Sequence, residues 1–423
     1  MVFKRPRGTI DWYGNQLVQL NEVAGSLKTL ALRYGFEEIV PPTFESLDLF
    51  YKSVGETTDV VQKEIYTFVD KKGRQMALRP EGTSSVVRAY VEEKMFANKA
   101  HATKFFYFLN LFRYERPQSG RWREFHQFGI EYLNVTSHLN DIECLIMAHE
   151  IIKMFQLEKY VTLKVNYLGN FHQRQAWMEE LKVYFNDYYD ELTPDSQQRL
   201  NKNPLRILDD KVDGVKGFVK NAPKLQKFLT SEDQLIFQEI LTGISSVGIN
   251  YLIDDSLVRG LDYYTGLVFE FVYLDPKTNS EITIIGGGRY SDLVRQTGGP
   301  DEIGLGFAIG IERLLTCLND TDYHFTTSSQ IDLVLGFDSY QTTAACFNLI
   351  SELRNLGLTI SIDYGNFKKD KNAKYALKKQ ASYFIFINQE SLINNTANME
   401  ELAANKLTTI TLNATTIASK VGK

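Results

Sequence analysis

Two aromatic-rich segments, KFFYFLNLFRYE (104–115) and EFHQFGIEYL (124–133), constrain this chain more than any other feature. Both are dense in residues that favour pleated, half-buried strands, and together they predict an adjacent strand pair. The joining loop, RPQSGRWR, is longer and more basic than a tight hairpin needs. Side chains two apart on a strand point the same way, so Arg113 and Glu115 share one face, and Phe125, Gln127 and Glu131 share another. Where those faces meet on an antiparallel sheet they make a polar floor with an aromatic wall. A water-facing sheet side would also be polar, but the mixture of Phe125 with ionisable groups, backed by bulky apolar residues on the opposite faces, suits a ligand site.

Around this pair the chain reads as several parts. From Gly14, apolar residues at steps of three and four through Leu17, Leu20, Ala24, Leu27, Leu30, Ala31 and Tyr34 predict a long amphipathic helix ended by Gly35. FEEIV follows as an extended segment before two prolines. Residues about 170–250 carry helical stretches broken by Asn-Pro and Asp-rich loops, the pattern of an inserted helical subdomain. Strands return with LVFEFVYL and ITII, GGG at 286–288 reads as a tight turn allowing close backbone approach, and IGLGFAIGIERLLTCL reads as a strand running into a helix. NDTDYHFTTSSQ (319–330) is the linker candidate. Beyond it strand and helix alternate as in a small α/β domain, so the boundaries are 1–325 and 326–423.

Composition narrows the function. With 43% hydrophobic residues over 423 positions the chain can bury large cores. No apolar run approaches the roughly 20 residues of a membrane helix and the start lacks a signal-peptide apolar region, which makes the cytoplasm the expected location. Cys144, Cys317 and Cys346 lie far apart and form no CxxC pair, so they read as buried free thiols. A net charge of −5 argues against indiscriminate nucleic-acid coating yet leaves room for a local basic surface. NFKKDKNAKYALKK (366–379) is one such stretch, equally compatible with a solvated helix face.

The candidate chemistry rests on arginines. LRPEGTSSVVRAY (78–90) places Glu81 and Thr83 near Arg79, while LVRGLDYYTGLVFEF (257–271) brings Arg259 beside two tyrosines, and Arg313 follows GLGFAIG. Guanidinium groups stay charged and match phosphate and carboxylate oxygens with a planar donor fork. Arg113, Arg121, Arg123, Arg259 and Arg313 together would suit a polyphosphate. GLGFAIG lacks the GK[ST] of a phosphate loop, the histidines form no HExxH or zinc cluster, and no GxSxG elbow is present. His126 falls on the apolar face of its strand and reads as a core or subsurface residue. The chemistry therefore reads as positioning and charge stabilisation rather than covalent catalysis.

These segments resemble one family. FRYERPQSGRWREFHQFGIE looks like motif 2 of a class II aminoacyl-tRNA synthetase and GLGFAIGIERL like motif 3, while LVRGLDYYTGLVFE and IIGGGRYSDLV look like the two signatures that set histidyl-tRNA synthetases apart. RPRGTIDW, DVVQKEIYTF, LRPEGT and DSQQRLNKNPLRILDDK extend the likeness over most of residues 5–318. The resemblance implies an α/β multidomain protein: a class II synthetase antiparallel sheet flanked by helices, a helical insertion, and a C-terminal α/β anticodon-binding domain, assembled as a homodimer. It implies ATP and L-histidine as substrates, Mg²⁺ bound mainly through ATP with no metal ligand among the protein side chains, and tRNA(His) as acceptor.

By the same resemblance, Arg113 and Arg259 hold the α-phosphate and the substrate carboxylate from two sides as the catalytic pair. Arg121 reaches the terminal phosphate, Phe125 and Arg313 sandwich adenine, and Glu115 contacts its edge. Glu81, Thr83 and Gln127 receive the α-ammonium of histidine; Glu131 and Tyr264 pair with the two imidazole nitrogens. Tyr263 belongs to the same histidine set, although on an extended strand its ring would point away from that of Tyr264. Arg116 and Gln118 match the tRNA acceptor contacts. Asp262 is expected to orient its neighbours. A related non-catalytic protein, the regulatory subunit of ATP phosphoribosyltransferase, typically lacks the Arg-Gly-Leu-Asp-Tyr-Tyr segment and the C-terminal domain, both of which this chain carries. The serine and aspartate of GGGRYSDLV and the strand YFIFINQES depart from the family pattern, which bears on loop shape and on anticodon contacts.

Overall fold

The computed structural model describes residues 3–55, 58, 60–97, 101–117, 120–208, 210, 212–258, 263–326 and 331–422. The chain divides into two compact units, Met1–Phe325 and Thr326–Lys423.

The first unit opens with α1 (Gly14–Arg33), whose Leu20, Val23, Leu27, Leu30 and Ala31 are buried at the predicted helical spacing. The helix stops where Gly35 takes a left-handed φ of 77°. There follow β1 (Glu37–Glu38), β2 (Phe44–Ser46), α2 (Leu47–Val54), β3 (Thr67–Val69), β4 (Gln75–Leu78) and α3 (Thr83–Glu92). The long pair β5 (Thr103–Phe112) and β6 (Glu124–Leu133) comes next, then α4 (Leu139–Met154) and β7 (Val161–Tyr167). Between β7 and β8 (Tyr251–Ile253) lie α5 (Phe171–Asn186), α6 (Pro194–Lys202), α7 (Leu205–Leu208), α8 (Gly217–Lys220) and α9 (Ser231–Ser246), so the region read as helical is helical. The unit closes with β9 (Tyr264–Leu274), β10 (Glu281–Tyr290), α10 (Leu293–Gln296), β11 (Gly304–Gly310) and α11 (Ile311–Asp320).

Eight of these strands form one sheet in the order β1-β5-β6-β11-β10-β9-β7-β8. It is antiparallel except at its two edges, where β1 runs parallel to β5 and β8 to β7. One face packs against α1, α4, α9 and α11 through residues such as Leu27, Leu145, Ile244 and Leu314. On the other face Tyr107, Tyr264, Val268 and Tyr290 join α3 and the helices after β7 in a second core. A small sheet, β2-β4-β3, stands beside α2 and α3. No helix among the described residues is long and apolar enough to cross a membrane.

Two strand expectations need correction. The first aromatic segment leaves the ladder three residues early: β5 ends at Phe112, and the Glu115 amide turns back onto the Arg113 carbonyl at 2.8 Å. GGG at 286–288 is no turn but the middle of β10. A side chain on Gly287 would put its Cβ 2.4 Å from the Gly306 carbonyl oxygen, so the glycines serve close approach of strands rather than chain reversal.

In the second unit, β12 (Leu333–Phe337), α12 (Tyr340–Ala345), α13 (Phe347–Asn355), β13 (Ile360–Ile362), α14 (Lys369–Lys378), β14 (Tyr383–Ile387), α15 (Gln389–Asn394), β15 (Thr396–Glu401), β16 (Lys406–Thr411) and α16 (Ala414–Val421) build a sheet of order β13-β12-β14-β15-β16. β12 is parallel to both neighbours and the remaining pairs are antiparallel. The lysine-rich stretch forms α14, which buries Asn372 and Ala376 and leaves its lysines exposed.

One ion pair ties the large sheet to its helical cover. Arg289 of β10 donates from Nε to both oxygens of Asp141 (2.7 and 2.9 Å) and from Nη2 to the Ser137 carbonyl (2.8 Å). Burial pushes the Asp141 carboxyl up despite these bonds, while the same bonds hold the Arg289 guanidinium above its ordinary value. The two-oxygen geometry marks a charged pair. Asp141→Ala should destabilise the first unit by roughly 3–5 kcal/mol, because it strands a buried cation. In urea unfolding, Asp141→Leu with Arg289→Met should recover much of that loss; an undiminished midpoint for Asp141→Ala would contradict the assignment.

Candidate active site

A cleft enclosing about 890 Å³, part of it open to solvent, lies on the side of the sheet that carries Gln127 and Tyr264. Strand alternation explains most of its floor: Gln127 and Phe125 come from β6, Ile284 and Gly286 from β10, and Ala308 and Gly310 from β11, while Thr283 joins them where the β9–β10 register shifts between Thr283 and Ile285. Its walls are Glu81 and Thr83 at the start of α3, Arg113, Glu115, Arg121 and Trp122 from the β5–β6 connection, Tyr263 and Tyr264 at the start of β9, and Glu312 and Arg313 at the start of α11.

One end is cationic. Arg113 donates from Nε to the Pro80 carbonyl at 2.8 Å, and its guanidinium carbon sits 5.6 Å from the Phe125 ring centre. Arg313 reaches the carbonyls of Gly120 and Thr283 at 3.4 and 3.3 Å. Glu115 lies between Arg113 and Arg121, at 4.0 and 3.6 Å. Burial first, then the nearby charges of Arg121 and Arg113, push the Arg313 guanidinium below its ordinary value. Cations held this close repel one another, and an anion placed among them would be bound with the repulsion removed.

The other end is built on carboxylates. Both Glu81 oxygens accept backbone N–H groups at the start of α3, from Thr83 at 2.8 Å and Ser84 at 2.7 Å, which satisfies donors the helix would otherwise leave open. Thr83 donates its hydroxyl to Glu131 at 2.6 Å, and Tyr290 donates to the other Glu131 oxygen at 2.8 Å. Glu131 itself is only 2% exposed and does not line the cleft; Thr83 stands between them. Gly306 makes the space, since a Cβ there would lie 2.4 Å from Glu131 Oε2. Burial and the charge of Glu81 push the Glu131 carboxyl up to about 8, against the two hydrogen bonds that oppose the rise.

The remaining site residues fall into place unevenly. Tyr263 does not turn away from Tyr264: their ring centres are 4.8 Å apart and both line the cleft. Tyr263 precedes the strand, so strand alternation does not govern it. Burial, with Tyr264 and the two carboxylates nearby, holds its phenol well above the ordinary range. Arg116 is exposed and outside the cleft lining. Arg123, counted among the polyphosphate arginines, instead covers the Tyr114 ring, with its guanidinium carbon 3.8 Å from the centre. Arg259, Asp262 and Gln118 lie outside the described residues. The three cysteines are buried and free. His126, read as a core or subsurface residue, is partly buried beneath the cleft: its backbone N–H and ring Nδ1 both meet Glu312, the ring at 2.9 Å.

Three residues were missed. Tyr107 hydrogen-bonds Gln127 Oε1 at 3.2 Å and is the same-face partner of Arg113 when the alternation is carried back along β5. Tyr290 and Glu312 stand in quoted motifs, but nothing in their spacing tells which atoms they serve.

Above the ordinary carboxylate value of about 4.3, ionisation of Glu131 costs stability: the contribution of its neutral form is fully present below pH 4 and lost as pH rises through about 8. Glu131→Gln should therefore gain melting temperature relative to the parent between pH 5 and pH 8. A difference independent of pH would contradict the raised carboxyl.

Comparison with known proteins agrees with this geometry. The family model described as "Histidyl-tRNA synthetase" matches residues 8–314. A histidine–tRNA ligase of Ureaplasma urealyticum is 41% identical over 411 residues, 97% of either chain. One from Lactobacillus helveticus is 38% identical over 425 residues, spanning 100% of this chain and 99% of its own. The apo crystal structure of the S. aureus histidyl-tRNA synthetase superimposes with a TM-score of 0.84 at 32% identity, covering both chains fully. On the strength of these matches and the cleft they coincide with, the chain belongs to the histidyl-tRNA synthetase family.

Proposed function

We propose that this protein is a histidine–tRNA ligase, which activates L-histidine with ATP to histidyl-adenylate, releases pyrophosphate, and passes the histidyl group to the 3′ end of tRNA(His). The observation that carries this reading is the polarity of the cleft: arginines crowd one end, while Glu81, Thr83, Gln127 and Tyr264 gather at the other. A carboxylate oxygen of histidine attacks the α-phosphorus as the bond to pyrophosphate breaks. Negative charge grows on the nonbridging oxygens, and preplaced cations stabilise it without reorganisation. Arg113, fixed by the Pro80 carbonyl, and Arg259 would supply them as the catalytic pair, with Arg121 at the terminal phosphate. Phe125 and Arg313 would enclose adenine, and Glu115 would meet its edge.

The amino-acid end fits histidine by hydrogen-bond type. Its α-ammonium needs acceptors, which Glu81, Thr83 and Gln127 provide; Gln127 is oriented by Tyr107. Its imidazole carries one donor and one acceptor, for which Tyr264 and the Thr83–Glu131 pair offer partners, with Tyr263 beside Tyr264 in the cleft wall. Glu131 reaches the ring directly if Thr83 yields its bond, or through Thr83 if it does not. A site whose polar groups expect partners rejects apolar analogues at about 1–3 kcal/mol per unmatched group.

Among the described residues no group of three His, Cys, Asp or Glu side chains is placed to hold a metal ion. Glu81 and Glu312, both at the cleft, are already engaged by N–H donors. Mg²⁺ would thus be carried by the phosphate oxygens of ATP and water, where it would offset their charge.

Apolar residues left exposed before, on and after α1, including Tyr13, Leu32 and Val40, fit a homodimer interface. The second unit, with exposed lysines on α14, fits the anticodon end of the tRNA, and the exposed Arg116 with Gln118 fits its acceptor end. An enzyme serving translation would act in the cytoplasm. A regulatory-subunit role is the weaker reading, since the relatives named as ligases match nearly the whole chain.

Purified protein should exchange pyrophosphate into ATP only when histidine is supplied; failure with every amino acid would favour the regulatory role. Arg259→Ala should lower adenylate formation by orders of magnitude while the melting temperature stays close to that of the parent. A large fall in melting temperature would instead assign Arg259 to the fold.

A further inference from the structure

The start of the helical insertion is bonded to the strand that carries Tyr264, through groups that neither the sequence motifs nor the cleft lining point to. β9 and β10 pair as Gly288 with Val268 and then Arg289 with Thr265, so Gly266 and Leu267 form a bulge in β9. Gly266 has φ of 56°, a left-handed conformation that other residues adopt rarely, and a Cβ there would press to 3.3 Å from Arg289 Cδ. The bulge is gripped from the insertion side by two reciprocal backbone bonds, Leu168 N–H to the Gly266 carbonyl at 2.6 Å and Gly266 N–H to the Gly169 carbonyl at 2.8 Å. One turn into α5, Arg174 donates from Nη1 to the carbonyl of Tyr264 itself.

The insertion end of this linkage is braced. Asn170 caps α5 through the Gln173 amide at 3.0 Å, and Gln173 in turn donates from Nε2 to Asp233 at 2.6 Å, at the N-terminus of α9. The first and last helices of the insertion are thereby tied at the point where Arg174 reaches the cleft wall. A bulge re-aims the residues before it, and here those residues are Tyr263 and Tyr264, whose rings line the cleft.

We propose that Arg174 is a positioning residue for amino-acid recognition: by holding the Tyr264 carbonyl it fixes the approach of the Tyr264 ring to the substrate side chain, making the insertion a buttress of the histidine pocket. The inference rests on the reading of this cleft as a histidine site. A charged donor aimed at the backbone carbonyl of a cleft residue is a bond whose loss should move recognition more than folding.

The test is histidine-dependent pyrophosphate exchange with full-length Arg174→Ala, Arg174→Gln and Arg174→Lys. Arg174→Ala should raise the KM for histidine about tenfold, the size expected for losing a charge-assisted hydrogen bond. The KM for ATP should stay within about twofold, and Arg174→Lys should recover most of the effect, since it keeps a cationic donor. If Arg174→Ala is recovered unfolded, Gln against Lys carries the comparison, with the larger histidine KM expected for Gln. A histidine KM unchanged in Ala and Gln, or one that shifts together with the ATP KM and melting temperature in every variant, would overturn the proposal. Absence of histidine-dependent exchange in the parent protein is a separate result, which would remove the histidine reading and this inference with it.

Discussion

A buried carboxylate organises the site. Glu131 sits under the cleft with one oxygen bonded to Thr83 and the other to Tyr290, beside a glycine that leaves it room. Its two bonds join β6 to α3 and β10, with β11 passing close at Gly306, so the elements around the carboxylate end of the cleft meet on a single side chain. Burying a carboxylate is costly unless its oxygens are satisfied, and the structure satisfies both while holding the group close to neutral. The reward is a polar anchor that is neither solvated nor free to move, under a wall that must tell imidazole from apolar side chains.

The cationic end follows the opposite logic. Arg113 and Arg313 are held by backbone carbonyls, which orient a guanidinium without neutralising it. Glu115 lies between Arg113 and Arg121, and burial, followed by repulsion from Arg121 and Arg113, still depresses Arg313. Guanidinium groups oriented in this way are what a triphosphate can use. One cleft thus carries clustered guanidinium groups at one end and matched hydrogen-bonding groups at the other.

Much of this was legible in the sequence because strand alternation is a strict rule. It placed Phe125, Gln127 and Glu131 on one face, of which Phe125 and Gln127 line the cleft while Glu131 is buried under Thr83, and helical spacing gave α1 almost to its ends. The rule failed where the chain is not a regular strand. Tyr263 lies before β9, and the bulge at Gly266 changes the direction of what precedes it. The run of three glycines read as a turn because glycine allows turns, yet it is strand, required by approach distances that only the packed sheet reveals. β15, with the polar run TANMEE, escaped because only Ala397 and Met399 are buried and the segment has little strand character. Arg289, Arg174 and Tyr290 act through partners more than 85 positions away in sequence, a kind of link that local pattern cannot show.

The central claim is that the two ends of the cleft divide the substrates between them, phosphate to the arginines and imidazole to Tyr264 above Glu131. A crystal structure with a nonhydrolysable histidyl-adenylate analogue tests it most directly. The account predicts the phosphate-mimicking group against Arg113 and the imidazole within hydrogen-bonding distance of Tyr264, with its other nitrogen on Glu131 or Thr83. An analogue bound in reverse, or with its imidazole in solvent, would contradict it.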